Sequence, residues 1–142
     1  MAEVTLLLGS NLGDRERNVR SALNLLDIAL GVHYKAISPL VETKACGFEA
    51  PDFLNCVVKY ETTRQPFPLL KICKTVERNL GRDESPEYDE NGNRIYHDRT
   101  IDIDILYYGN RRIEGETLTI PHPQVETRPF VRELLAKLEE VS

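Results

Sequence analysis

An α+β fold built on an antiparallel sheet is predicted by three features of the 142-residue chain. Short apolar runs with strand character alternate with two stretches of helical periodicity. Their order is β-α-β-β-α-β, with Gly, Pro, Asn and Asp residues punctuating each junction. Additional short elements follow the last of these strands. This is the split β-α-β order of ferredoxin-like folds, in which two helices share one face of the sheet and, here, a hairpin and helices are appended at the C-terminus.

The first strand runs from Val4 to Leu8 and stops at Gly9-Ser10-Asn11, a stretch that lines a pocket or simply turns the chain. Asp14 is placed to cap a helix over residues 15–29, where Val19, Ala22, Leu23, Leu26 and Leu30 recur at helical spacing and Gly31 ends the pattern. A second strand is predicted across Val32–Val41, and a loop across 42–52 with Gly47 and Pro51. The third strand, Phe53–Glu61, alternates around Val57 and Val58. Pro66 and Pro68 open a helix carried by Leu69, Leu70, Ile72, Cys73, Val76 and Leu80, and Gly81 closes it. Residues 82–99 are rich in Asp, Glu, Asn and Gly and read as a long loop, mobile at about 83–98, the kind of segment compact domains keep for function. Residues 100–108, TIDIDILYY, then give a strong strand signal. An edge hairpin over 112–119, a helical turn over 124–127 and a helix from Pro129 to about Glu140 complete one domain over residues 1–142.

The net charge of -5, from 18 Lys+Arg against 23 Asp+Glu, argues against a general nucleic-acid binder. No apolar run is long enough for a membrane span, and the N-terminus lacks a signal-peptide pattern. The three cysteines fit no metal-binding spacing. Cys56 and Cys73 read as core residues, Cys46 as a loop residue able to line a pocket, and a reducing cytoplasm as the setting.

Asp102 and Asp104 are the most informative pair. Two apart in a strand, they share one face, with Cα atoms roughly 6.6 Å apart, while Ile101, Ile103 and Ile105 enter the core behind them. Like charges on one sheet face repel, so something cationic should answer them. One reading is a magnesium pair held together with substrate phosphates; the other is a solvated face balanced by Lys or Arg. Arg82 and Arg99 bracket the 83–98 loop, Arg94 lies within it, and Arg128 and His122 come from the C-terminal segment. Arginine forks suit phosphate, and they also make ordinary surface ion pairs. Phe53 and Phe130 read as core residues or, if both face a cleft, as a sandwich for a planar heterocycle. Lys74 and Glu77 occupy the polar side of the second helix, with Glu77 either near the carboxylate pair or solvated.

Taken in order, the stretches LLLGSNLGDR (6–15), ETKACGFEAPDFLNCVV (42–58), VERNLGR (76–82), DRTIDIDILYYGN (98–110), LTIPHP (118–123) and RPFV (128–131) resemble the 6-hydroxymethyl-7,8-dihydropterin pyrophosphokinase family of folate biosynthesis. The resemblance covers nearly the whole chain, and RTIDIDIL followed by LTIPHP is its specific core. It implies transfer of the pyrophosphoryl group of ATP to the pterin hydroxymethyl oxygen, giving AMP and the pterin diphosphate. Two Mg²⁺ ions are implied at Asp102 and Asp104, with ATP as co-substrate. The implied pterin site comprises Thr43, Cys46, Phe53, Asn55 and Phe130. The implied ATP side comprises Lys74, Glu77, Arg82, Arg94, Tyr96, Arg99, Ile105, Thr119, His122 and Arg128, with Arg82 and Arg99 joining the two aspartates as catalytic residues. No nucleic acid, membrane or obligate protein partner is implied, and closure of the 83–98 loop would exclude water.

The chain departs from the family pattern in that loop. Glu84 stands where many members place a second arginine, Tyr96 where a tryptophan is common, and His97-Asp98 where Gly-Pro is usual. Three other readings compete with the pyrophosphokinase reading: a nucleotide-sensing binding module without chemistry, a structural or interaction domain with aliphatic packing around Phe53 and Phe130 and salt bridges at both aspartates, and a phosphotransferase acting on something other than a pterin.

Overall fold

The computed structural model describes residues 1–43, 52–81, 87–88, 90–92, 94–95 and 100–141, with the backbone alone at 87–88, 94–95 and 141. In chain order its elements are β1 (Ala2–Ser10), α1 (Arg15–Leu30), β2 (Ala36–Ile37), β3 (Val41–Thr43), β4 (Phe53–Thr62), α2 (Pro66–Asn79), β5 (Glu87–Tyr88), β6 (Arg94–Ile95), β7 (Asp102–Tyr108), β8 (Ile113–Glu114), β9 (Thr119–Ile120), α3 (Gln124–Thr127) and α4 (Pro129–Val141). The main sheet runs β2-β4-β1-β7, with β3 also pairing with β4, and every pairing is antiparallel.

Both predicted main helices form where their caps dictate. The Asp14 carboxylate accepts the Arg17 backbone N–H at 3.1 Å, and Gly31, at φ 71°, ends α1 in the left-handed conformation that a side chain resists. Pro66 begins α2 where a missing N–H costs nothing. The predicted strand over 32–41 is instead two short pieces, and Pro39 explains the break because it has no N–H for the ladder. Beside it, the Ser38 hydroxyl takes over the Val57 N–H at 3.0 Å, in place of a backbone carbonyl. Within the stretch predicted as a loop, Glu87–Tyr88 and Arg94–Ile95 pair as a two-stranded ladder.

The sheet is covered on both faces rather than one. Val4, Leu6, Leu8, Val58, Tyr60 and the three isoleucines of the β7 region pack against α1 and α2. Leu7, Val57 and Leu106 face the other way and pack with Val131, Leu134 and Leu138 of α4. The C-terminal helix is therefore half of the sandwich, not an appendage. Because α4 starts only at Pro129, it leaves the Gly9–Asn55–Asp102 end of its sheet face uncovered by buried α4 residues.

Cys56 and Cys73 are fully buried core residues with free thiols, as their apolar surroundings suggest. Burial pushes both thiols up to about 12, so almost no thiolate exists at neutral pH. Neither cysteine should be alkylated by iodoacetamide at pH 8 until denaturant is added. Peptide mass spectrometry showing either one modified in the folded protein would contradict this packing.

Candidate active site

The site is assembled on the exposed end of the α4-facing side of the sheet. Ile101, Ile103 and Ile105 are at most 2% exposed on the far side, which forces the half-buried Asp102 and Asp104 onto this face. In register, Asp102 lies opposite Gly9 and Asp104 opposite Leu7 on β1, and Gly9 lies opposite Asn55 on β4. One cleft is lined by Gly9, Phe53, Asn55, Asp102, Asp104 and Arg128, together with Leu7 and Gln124.

Gly9 is required by close approach. A Cβ built on it would lie 2.6 Å from Asn55 Oδ1 and 3.4 Å from the Phe53 ring. Asn55 has little room to retreat, since it is buried and its Nδ2 donates to Thr43 Oγ1 at 2.6 Å. The Thr43 hydroxyl, a donor and an acceptor both, holds this amide in place. Arg15 reaches from the start of α1 to the Glu42 carboxylate and the Asp52 carbonyl, tying together the two residues where β3 leaves and β4 approaches.

A second cleft opens beyond the edge of β7. Lys74 of α2, Thr119 of β9, His122 and the Ile103–Ile105 segment line it, and Asp104 belongs to both clefts. The β7 edge is not left bare. Glu77, 1% exposed, accepts the Ile103 N–H at 2.9 Å between the two aspartates, and Lys74 Nζ stands 3.6 Å from the other Glu77 oxygen. The His122 N–H in turn donates to the Leu106 carbonyl at 3.0 Å.

Asp104 has two described partners. Gln124 Nε2 donates to its Oδ2 at 2.9 Å, and His122 Nε2 lies 3.9 Å from its Oδ1. The Gln124 backbone N–H donates to His122 Nδ1 at 3.1 Å. Nδ1 is thus an acceptor, which leaves the neutral imidazole's proton on Nε2, the nitrogen facing Asp104. Arg128 donates to Gln124 Oε1 at 2.8 Å, and its guanidinium lies 4.4 Å over the Phe130 ring.

The residues predicted from sequence therefore gather in two groups. Phe53, Asn55, Asp102, Asp104 and Arg128 meet in the first cleft, with Thr43 hydrogen-bonded to Asn55. Lys74, Ile105, Thr119 and His122 meet in the second. Glu77 lies beneath the strand, holding Ile103, and Phe130 rests on the α4 core under Arg128. Cys46, Arg82, Tyr96 and Arg99 lie outside the described residues, as does the Arg94 side chain. Gln124 was not singled out by the sequence. Its one local signal is the four-residue spacing to Arg128, which brings two residues onto one side of a helical turn.

Among the described residues no group of three or more His, Cys, Asp or Glu side chains is gathered for a metal. Two hard carboxylates on one open face do fit a divalent cation that draws its remaining oxygens from substrate phosphates. Two clefts sharing a carboxylate wall are what a phosphotransferase with two small substrates needs.

Comparison with known proteins agrees. The family model described as 7,8-dihydro-6-hydroxymethylpterin-pyrophosphokinase matches residues 5–140, and the chain belongs to that family. A 2-amino-4-hydroxy-6-hydroxymethyldihydropteridine pyrophosphokinase of Porphyromonas gingivalis is 42% identical over 134 residues, covering 93% of this chain and 87% of its own. The protein of the same name from Bacillus subtilis is 37% identical over 137 residues, covering 96% and 75%. A mitochondrial folate synthesis bifunctional protein of Pisum sativum is 38% identical over 130 residues, 91% of this chain and 24% of that longer one. The chain is a pyrophosphokinase of this type, transferring a pyrophosphoryl group to hydroxymethyldihydropterin in folate biosynthesis.

Gly9→Ala tests the floor of the first cleft. Overpacking here should cost about 1–3 kcal/mol, displace Asn55 and lower turnover about tenfold or more. Gly13→Ala, strained by its φ of 67° but with nothing within 4 Å of the added Cβ, should lose stability yet keep parental turnover in the folded protein. Equal turnover for the two variants in a steady-state assay would contradict the close approach.

Proposed function

We propose that ATP is the pyrophosphoryl donor, that the pterin occupies the cleft of Phe53 and Asn55, and that the triphosphate lies along the cleft of Lys74 and His122. The observation that carries this reading is Asp104, which lines both clefts and so supports a meeting of the two substrates beside it. In this reading Asn55, held by Thr43, pairs with the polar edge of the pterin. Phe53 stacks on one face of the ring and Phe130 on the other, and Cys46 completes the pterin site. Lys74 and Arg128 offset phosphate charge, His122 donates a hydrogen bond from Nε2 on the phosphate side, Thr119 and the backbone at Ile105 line the nucleotide side, and Arg82, Arg94, Tyr96 and Arg99 are assigned to the triphosphate. Glu77 contributes by holding the backbone between the two aspartates.

Asp102 and Asp104 would hold two Mg²⁺ ions. Bound there, magnesium neutralises phosphate charge and acidifies the attacking alcohol. The protein's own task is orientation and electrostatics. The hydroxymethyl oxygen bonds to the β-phosphorus, the bond from that phosphorus to the α–β bridging oxygen breaks, and AMP leaves. The alcohol proton passes to solvent. The antiparallel order β7-β1-β4-β2, with α1 and α2 on one face, supports a ferredoxin-like reading of the fold. The chain is read as one cytoplasmic domain that needs no protein or nucleic-acid partner. No helix among the described residues is long and apolar enough to cross a membrane.

Incubation with ATP, MgCl₂ and 6-hydroxymethyl-7,8-dihydropterin should give AMP and the pterin diphosphate by ³¹P NMR, and neither without the pterin. ADP as product would contradict the proposal. Asp102→Asn and Asp104→Asn should each lower turnover on the order of a hundredfold or more, the scale of losing a preorganised electrostatic group, with circular dichroism unchanged. Parental turnover in either variant would contradict its assignment.

A further inference from the structure

Gln124 joins a cation to the shared carboxylate wall. Its Nε2 donates to Asp104 Oδ2 at 2.9 Å, and its Oε1 accepts from Arg128 Nη1 at 2.8 Å. The chemistry of both partners fixes the orientation of this amide. A carboxylate only accepts and a guanidinium only donates, so the reversed amide would lose both bonds. The backbone N–H of the same residue holds His122 Nδ1 at 3.1 Å, so one residue sets the positions of three groups around the wall.

The same sheet provides a contrast. Glu3 and Glu61 face each other across β1 and β4, and Lys35 answers them directly at 2.9 and 3.3 Å. That cation holds the Glu3 carboxyl below its ordinary range, chiefly by hydrogen bonding. At Asp104 the hydrogen-bonding partner is instead neutral. An amide orients a carboxylate without cancelling its charge, whereas a guanidinium at the same position would form a bidentate pair and compete with any incoming cation.

We propose that Gln124 is a positioning residue that aims Asp104 toward a divalent cation and Arg128 toward the phosphates while keeping the two charges from neutralising each other. This rests on the metal and substrate reading given above. An isolated carboxamide is uniquely suited to the role. Alanine removes the aim, and arginine replaces it with a competing positive charge.

The test measures metal binding directly, without turnover. Mn²⁺ is titrated by electron paramagnetic resonance into the protein saturated with a non-hydrolysable ATP analogue, for the parent, Gln124→Ala, Gln124→Arg and Asp104→Ala. Pterin affinity and melting temperature are measured alongside. Gln124→Ala should weaken Mn²⁺ binding about tenfold, the lower end of the range for groups that orient metal ligands. Gln124→Arg should weaken it further, and in both the loss of Mn²⁺ affinity should exceed any loss of pterin affinity. Mn²⁺ affinity within twofold of the parent in both Gln124 variants, with loss in Asp104→Ala, would overturn the bridge alone. Equal losses of metal and pterin affinity in Ala and Arg, together with a lower melting temperature, would make Gln124 a fold residue and also overturn it. Parental Mn²⁺ affinity in Asp104→Ala would overturn the metal reading and the bridge with it.

Discussion

Strand β7 cannot slip by one residue, and the site depends on that. Ile101, Ile103 and Ile105 are buried against α1 and α2, each worth about 1.5–3 kcal/mol on burial. A one-residue shift would send them to the cleft side and drive Asp102 and Asp104 into an apolar core. Unpaired carboxylates are not tolerated in such a core. The hydrophobic core thus sets the direction of the two charged groups. Glu77 strengthens the same constraint from the edge by taking the Ile103 N–H.

Around this fixed strand, the remaining elements decide what the aspartates meet. Gly9 keeps the floor low enough for Asn55 to approach, and Thr43 holds the Asn55 side chain in place. The segment from Pro121 to Arg128 brings His122, Gln124 and Arg128 to the wall from outside the sheet. Helix α4 covers the sheet face only beyond them, so among the described residues the clefts stay open where the charged groups stand.

The features legible in the sequence were those with a local period. Alternation over residues 101–105 gave both the strand and the shared face of its aspartates, and the caps Asp14 and Gly31 gave the limits of α1. Features set by tertiary partners were not legible. The apolar stripe of α4 says that one side is buried but not against which face of the sheet. The strand expected over 32–41 fails at Ser38-Pro39, where a proline without an N–H outweighs apolar alternation. Gln124 carries no charge and belongs to no motif pattern, and its meaning comes from Asp104, 20 residues earlier in the chain. The roles proposed for Phe53, Asn55 and His122 rest on family resemblance, since each residue alone is compatible with ordinary packing.

The account turns on phosphates and pterin meeting at the wall formed by Asp102 and Asp104. The most direct measurement is anomalous diffraction from crystals grown with Mn²⁺, a non-hydrolysable ATP analogue and 6-hydroxymethyl-7,8-dihydropterin. The account predicts manganese peaks within coordination distance of both carboxylates, with the pterin on the Asn55 side and the triphosphate on the His122 side. Manganese elsewhere, or both ligands in one cleft with the aspartates paired to lysine or arginine, would contradict it.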